Sequence, residues 1–174
     1  METLILVDAN DNEVGYGSKD NCHKRPLILH RAFSIFIFND KDEMLIHKRG
    51  LKKKTWPSLW TNACCSHPRK DEETKDAAHR RLKEEMGFDC NLKFLFKFDY
   101  KAMYDKEWGE HEIDSVFIGK HNNPVKPDKN EIEEWKFVPV AELLKDTKSN
   151  PKKYTPWFKM SLSKVIEYYK KGEL

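Results

Sequence analysis

Between Trp60 and Gly87 the sequence changes its period from two to about 3.6 residues, so a strand must run almost directly into a helix packed beside it. Trp60 to His67 reads as one extended run, in which Cys65 shares a face with His67 while Cys64 and Ser66 share the other. A thiol and an imidazole therefore point the same way. Pro68 ends the strand, and Asp71 is placed to cap the next element. From Glu72 to Met86 no Pro or Gly interrupts a helix, and Gly87 supplies its stop. Ala77, Ala78, Leu82 and Met86 form one apolar arc on that helix, with Arg81 and Glu85 within or beside it and Arg80, Lys83 and Glu84 pointing away. Buried charge is costly unless it is paired or holds an ion, so Arg81 and Glu85 are either a mutual salt bridge or part of a charged site.

The flanking segments supply a sheet for this unit. Leu4 to Val7, a polar turn at Asn10 to Asn12 and Val14 to Tyr16 read as an opening hairpin, followed by a polar stretch from Lys19 to Arg25 that carries Cys22 and His23. His30 opens an apolar run to Phe38 that reads as a central strand, with a partner at Met44 to Lys48. Gly50 to Leu59 is a basic loop containing Lys52-Lys53-Lys54 and Trp56-Pro57. Beyond Gly87, Leu92, Phe94, Phe96, Phe98 and Tyr100 alternate with polar residues, predicting one aromatic face that ends at Tyr100. Glu110 to Ile118 is a strand with Glu110, Glu112 and Asp114 on one side. Asn122 to Lys129 reads as a loop, Glu134 to Val138 as a strand and Val140 to Lys145 as a short helix. Thr155-Pro156 then starts a last helix that runs from Trp157 to Lys171. The expected fold is a single α/β (α+β) domain, a mixed β-sheet sandwiched between helices.

A chain of 174 residues suits one domain, and 12% aromatic content supplies a core despite 35% charged residues. Its 32 basic and 29 acidic side chains are interspersed, which gives no reason to expect a nucleic-acid partner. Cys22, Cys64, Cys65 and Cys90 show no Cys-x-x-Cys spacing, and reduced thiols in the cytoplasm are expected. Leu4 to Val7 lacks a basic flank, so neither a signal peptide nor a membrane span is expected.

Three separated segments offer ligands: His23 and His30, His67, and the co-facial Glu110 and Glu112. A lone His is most often solvated or hydrogen-bonded, and two carboxylates on a strand face are usually in water. Like charges two residues apart on one face nevertheless repel unless something positive lies between them, and nitrogen with carboxylate donors suits a borderline divalent metal such as Mn, Zn or Fe.

Glu72, Arg80, Leu82, Glu84, Glu85, Gly87 and Phe88 fit the later part of the box that marks the Nudix superfamily. Two positions depart from it: Ser66 stands where the box has its first Gly, and Arg81 where it has a Glu. The second departure removes one of the clustered acids with which hydrolases of the superfamily hold metals. Trp56-Pro57, Trp60-Thr61-Asn62, Cys65-x-His67-Pro68, Glu110-x-Glu112 and Thr155-Pro156-Trp157 narrow the match, and the chain resembles the type I isopentenyl diphosphate isomerases nearly end to end.

Position by position, the resemblance implies that His23, His30, His67, Glu110 and Glu112 bind one divalent metal, Mn or Zn, and that Glu85 helps hold a Mg ion on the substrate diphosphate. It further implies that Lys19, Arg49, Lys53 and Arg81 bind the diphosphate and that Cys65 and Glu112 carry protons. Tyr100 would assist Glu112, and Trp157 would line the hydrocarbon end. The implied partner is a small diphosphate, with no flavin, nucleic acid or membrane, and with the chain acting as a monomer or weak homodimer. The rivals are a Nudix hydrolase, and a metal-stabilised module that binds a phosphorylated ligand without turnover.

Overall fold

The computed structural model describes residues 2–172 and 174. Its hub is β3 (His30–Phe38), the apolar run expected at the centre. One edge of β3 pairs in parallel, over its whole length, with β8 (Gly109–Lys120). The other edge is shared by β1 (Thr3–Val7), β6 (Cys64–Ser66) and β4 (Glu43–Arg49), all antiparallel to it. β2 (Glu13–Ser18) extends β1 as the expected hairpin, and β7 (Leu92–Met103) flanks β8. β4 also pairs with β5 (Trp60–Thr61) and β9 (Ile132–Pro139).

Alternation along β3 sorts its side chains into two cores. Phe33, Ile35 and Ile37 pack with Ala77, Ala78, Leu82 and Met86 of α2 (Thr74–Met86). On the other face, Phe36 and Phe38 pack with Leu143 of α3 (Val140–Ser149) and with Phe158, Leu162 and Val165 of α4 (Pro156–Lys170). The helices thus cover both faces of the sheet, which satisfies the apolar period of each. His30, Ala32 and Ser34 share a face with Phe36 and Phe38, and Glu110, Glu112 and Asp114 share one with Val116 and Ile118. The face that is a core at one end of these two strands is therefore polar at the other.

Local chemistry moves several boundaries from their expected places. Trp60 to His67 is two short strands interrupted at Asn62 and Ala63, because the Asn62 side chain donates to Cys64 O at 2.8 Å and turns the chain there. The helix begins at Thr74 rather than Glu72. Asp71 has φ of 62° and belongs to a turn, while Glu72 accepts the Arg69 N–H at 2.8 Å and pairs with Arg80 at 2.6 Å. The single aromatic face of β7 is divided by a bulge at Leu95, which leaves Phe94 48% exposed and turns Phe96 and Tyr100 to the α4 side. Lys19–His23 forms a short helix, α1, capped by Ser18, and a 3-10 turn follows α3 at Pro151–Lys153. Thr155 precedes α4 without capping it and donates to Thr61 Oγ1 at 2.9 Å instead.

Gly87 ends α2 as expected, with φ of +77° and its N–H bonded to Lys83 O. A Cβ there would stand 2.5 Å from Lys126 O, so strain and a backbone clash would combine. Gly87→Ala is expected to cost about 2 kcal/mol or more in a urea titration, with the m-value unchanged. An unaltered midpoint would show that the turn has another low-energy form.

Candidate active site

The polar ends of β3 and β8 meet α1 and β6 at a cleft lined by Lys19, His23, Arg49, Lys53, Cys65, Ser66, His67, Tyr100, Glu110, Glu112 and Trp157, together with Phe33 and Ser34. Strand register builds its centre. His30 lies beside Glu112 across the parallel pair, Tyr100 lies opposite Glu112 on β7, and Ser34 lies opposite Cys65 on β6. The short helix α1 then brings His23 over the same point.

Three imidazoles converge on one carboxylate. Glu112 Oε1 lies 3.0 Å from His67 Nε2, 3.4 Å from His30 Nε2 and 3.7 Å from His23 Nε2, and the four ligand atoms all fall within 4.8 Å of one another. A metal with bonds near 2.1 Å sets neighbouring ligand atoms about 3.0 to 3.4 Å apart, so this cluster has close to the spacing of a coordination shell. His30 Nδ1 lies 2.8 Å from Ile28 O, which places its proton there and leaves Nε2 as a lone pair aimed inward. Burial, followed by the neighbouring imidazoles, drives His23 down to about 2, and burial drives His67 down to about 4. Both are then neutral at physiological pH, as a metal requires. The donor set fits a divalent ion.

Glu110 stands at the edge of this group, 3.8 Å from His23 Nδ1, and accepts from Thr55 Oγ1 at 3.1 Å. The Tyr100 hydroxyl bridges it to Glu112, at 2.9 Å from Glu110 and 2.6 Å from Glu112. Burial and the Glu112 charge push Glu110 up. Burial would raise Glu112 as well, but the His30 and His67 imidazoles packed against it outweigh burial and hold that carboxyl well below its usual range. Asp114 continues the acidic face inward, accepting from Ser34 Oγ at 2.7 Å.

The thiol of Cys65 sits in a network that sequence reasoning did not assign. Asn62 is fully buried, and its amide N–H groups donate to Ile35 O at 3.1 Å and Cys64 O at 2.8 Å. That fixes Oδ1 toward the sulfur, where it accepts from Cys65 at 2.9 Å. The Trp157 indole N–H lies 3.0 Å from both Cys65 Sγ and Thr61 Oγ1. The words Thr61-Asn62 and Thr155-Pro156-Trp157 were legible as motifs, but only folding shows that they enclose one sulfur. Cys64, by contrast, is buried in the α2 core.

The expected headgroup residues divide. Lys19, Arg49 and Lys53 line the cleft, although Arg49 spends its guanidinium on Thr55 O at 2.9 Å and Trp56 O at 3.1 Å and lies 5.1 Å from the Trp157 ring centre. Arg81 and Glu85 form an ion pair with each other and lie behind Ser66, outside the lining residues. His30, fully buried, reaches the cleft only through its imidazole partners.

The NUDIX domain family matches residues 28–158. An isopentenyl-diphosphate Delta-isomerase of Aromatoleum aromaticum is 42% identical over 95% of this chain and 87% of its own length. Its namesake in Mus musculus is 42% identical over 91% and 80%. The chain belongs to the isopentenyl-diphosphate Delta-isomerase family of NUDIX proteins. The fold is likewise that of the Deinococcus radiodurans protein DR0079, at a TM-score of 0.70 and 16% identity over 86% of this chain and 90% of that one. It is also that of a MutT protein from Methanosarcina mazei, at 0.67 and 19% over 82% and 96%. In this isomerase-family chain the two departures from the Nudix box touch each other, since Arg81 Nε donates to Ser66 Oγ at 3.1 Å. A glycine at position 66 would leave that donor without its partner.

Burial pushes the Cys65 thiol up to about 12, against the opposing pull of Arg49. A raised value means that sulfur keeps its proton across neutral pH, and the reactive thiolate grows about tenfold per pH unit. Alkylation of Cys65 by iodoacetamide, located by peptide mass spectrometry, is therefore expected to climb from about pH 7 to about pH 10 without a plateau. A plateau near neutrality would mean a resting thiolate.

Proposed function

We propose that this protein converts isopentenyl diphosphate to dimethylallyl diphosphate, with Cys65 and Glu112 as the proton-carrying groups. The observation that carries the reading is that the Cys65 thiol and the Glu112–Tyr100 pair open onto one narrow cleft whose wall is the Trp157 ring. Moving the double bond inward adds a proton at the terminal carbon and removes one from the carbon nearer the diphosphate. No electrons or other atoms are exchanged. Two groups on different strands, one giving a proton and one taking it, are what that balance requires.

Protonation leaves positive charge on a tertiary carbon, which water would capture. Trp157 is 2% exposed and Tyr100 5%, so the tail would lie against dry aromatic surface. An indole facing that charge contributes on the order of 2 kcal/mol when desolvated. Tyr100 orients Glu112 and keeps its own proton, because burial and the flanking carboxylates hold its phenol far above the ordinary value.

His23, His30, His67 and Glu112, with Glu110 at their edge, would hold one Mn or Zn ion, which would supply positive charge to steady the Glu112 carboxylate. Glu85 would hold Mg that arrives with the diphosphate, and Lys19, Arg49, Lys53 and Arg81 would bind the headgroup, positioning a tail with no polar handle. The free cysteines suit a cytoplasmic enzyme, acting as a monomer or weak homodimer on a soluble substrate. A hydrolase reading is disfavoured by Arg81, whose guanidinium fills an acid's place in the box and is tied to Ser66 and Glu85.

Incubation with isopentenyl diphosphate, Mg and Mn in deuterated water is expected to give deuterated dimethylallyl diphosphate. Cys65→Ala and Glu112→Gln should each lower kcat by about a hundredfold or more. Cys65→Ala should still bind the diphosphate. Released phosphate, or bound but unchanged substrate, would overturn the assignment.

A further inference from the structure

In the structure two of the cations expected to bind the headgroup, Lys53 and Lys19, are already paired with acids that have no part in the chemistry above. Glu131, in the loop before β9, forms an ion pair with Lys53, and its other oxygen lies 4.0 Å from Arg81 Nη2. Glu2 lies 3.3 Å from Lys19 Nζ. Both acids are partly buried, with side chains 29% and 25% exposed, so their attractions are less screened than those of surface pairs. The Glu131 backbone is clasped to the same loop as its partner: Gly50 N–H donates to Glu131 O at 2.8 Å, and Lys53 N–H donates to Gly50 O at 3.1 Å.

Burial would raise the Glu131 carboxyl, but Lys53, Arg81 and Lys19 together hold it below its ordinary value. Glu2 is held down in the same way, against its burial, by Lys19 and Arg81. Three of the four cations expected to bind the headgroup therefore face these two carboxylates.

We propose that Glu131, supported by Glu2, is an internal counter-anion that engages the headgroup cations until an arriving diphosphate displaces it. The proposal rests on the diphosphate reading above and adds a residue that sets how tightly the headgroup is held. Self-pairing keeps several like charges tolerable around a narrow cleft, and it weakens binding because each ion pair must be exchanged before the ligand gains its own. Product release gains what substrate binding loses.

The test is titration of the full-length protein with inorganic pyrophosphate and Mg, followed by calorimetry. Glu131→Gln is expected to bind about tenfold more tightly than the unsubstituted protein at low salt, since removing a competing anion favours another anion at the same cations. Glu2→Gln should shift affinity the same way by less, because Lys19 is more exposed than Lys53. Glu133→Gln, which removes one of the two carboxylates paired with Lys48 away from the cleft, should change nothing. Unchanged or weaker binding by Glu131→Gln, with binding lost in Lys53→Ala, would overturn the role given to Glu131 alone. Pyrophosphate that ignores both the unsubstituted protein and Lys53→Ala would overturn the diphosphate reading and this proposal together.

Discussion

The convergence of His23, His30 and His67 on the Glu112 carboxylate is the arrangement on which the rest of the site depends. A carboxylate this buried costs several kcal/mol unless donors or an ion compensate it. Here the groups around it come from four separate parts of the chain: the imidazoles of α1, of β3 and of the residue after β6, and the Tyr100 hydroxyl on β7. Only the parallel pairing of β3 with β8 sets His30 beside Glu112. A slip of one residue would turn His30 and Glu112 to opposite faces of the sheet and send the polar set into the α2 core.

That register also explains why the cleft lies where it does. The α4-facing sides of β3 and β8 begin with His30, Ala32, Ser34, Glu110, Glu112 and Asp114 and end with Phe36, Phe38, Val116 and Ile118. The apolar half is covered by α3 and α4, and the polar half lines the cleft. Trp157, in the first turn of α4, stands at the boundary, packed edge-on against Trp56 at 5.4 Å while its N–H reaches the Cys65 sulfur. One side chain therefore closes the core and lines the site.

Much of this was legible in the residues. The 3.6-residue period of α2, its glycine stop, the central strand and the co-facial acids of β8 follow from side-chain spacing alone, and Arg81 and Glu85, read as a mutual salt bridge or part of a charged site, do pair with each other. What spacing could not show were features decided by a side chain bonding to distant or local backbone. Asn62 breaks the expected strand, Glu72 is drawn to Arg80 rather than into the helix, and the Leu95 bulge rotates half of β7. The partners of the Cys65 thiol were hidden for the same reason, since Asn62, Thr61 and Trp157 meet it only after three elements are packed. The resemblance pointed to candidate site residues; the fold adds that Arg81 and Ser66 are hydrogen-bonded to each other and that Glu131 pairs with Lys53.

The most direct test of the central arrangement is X-ray absorption at the zinc edge on protein loaded with one equivalent of Zn. The account predicts a shell of nitrogen and oxygen ligands with the outer-ring scattering of three imidazoles, falling to two in His67→Gln. A shell containing sulfur, or one imidazole or none, would contradict it.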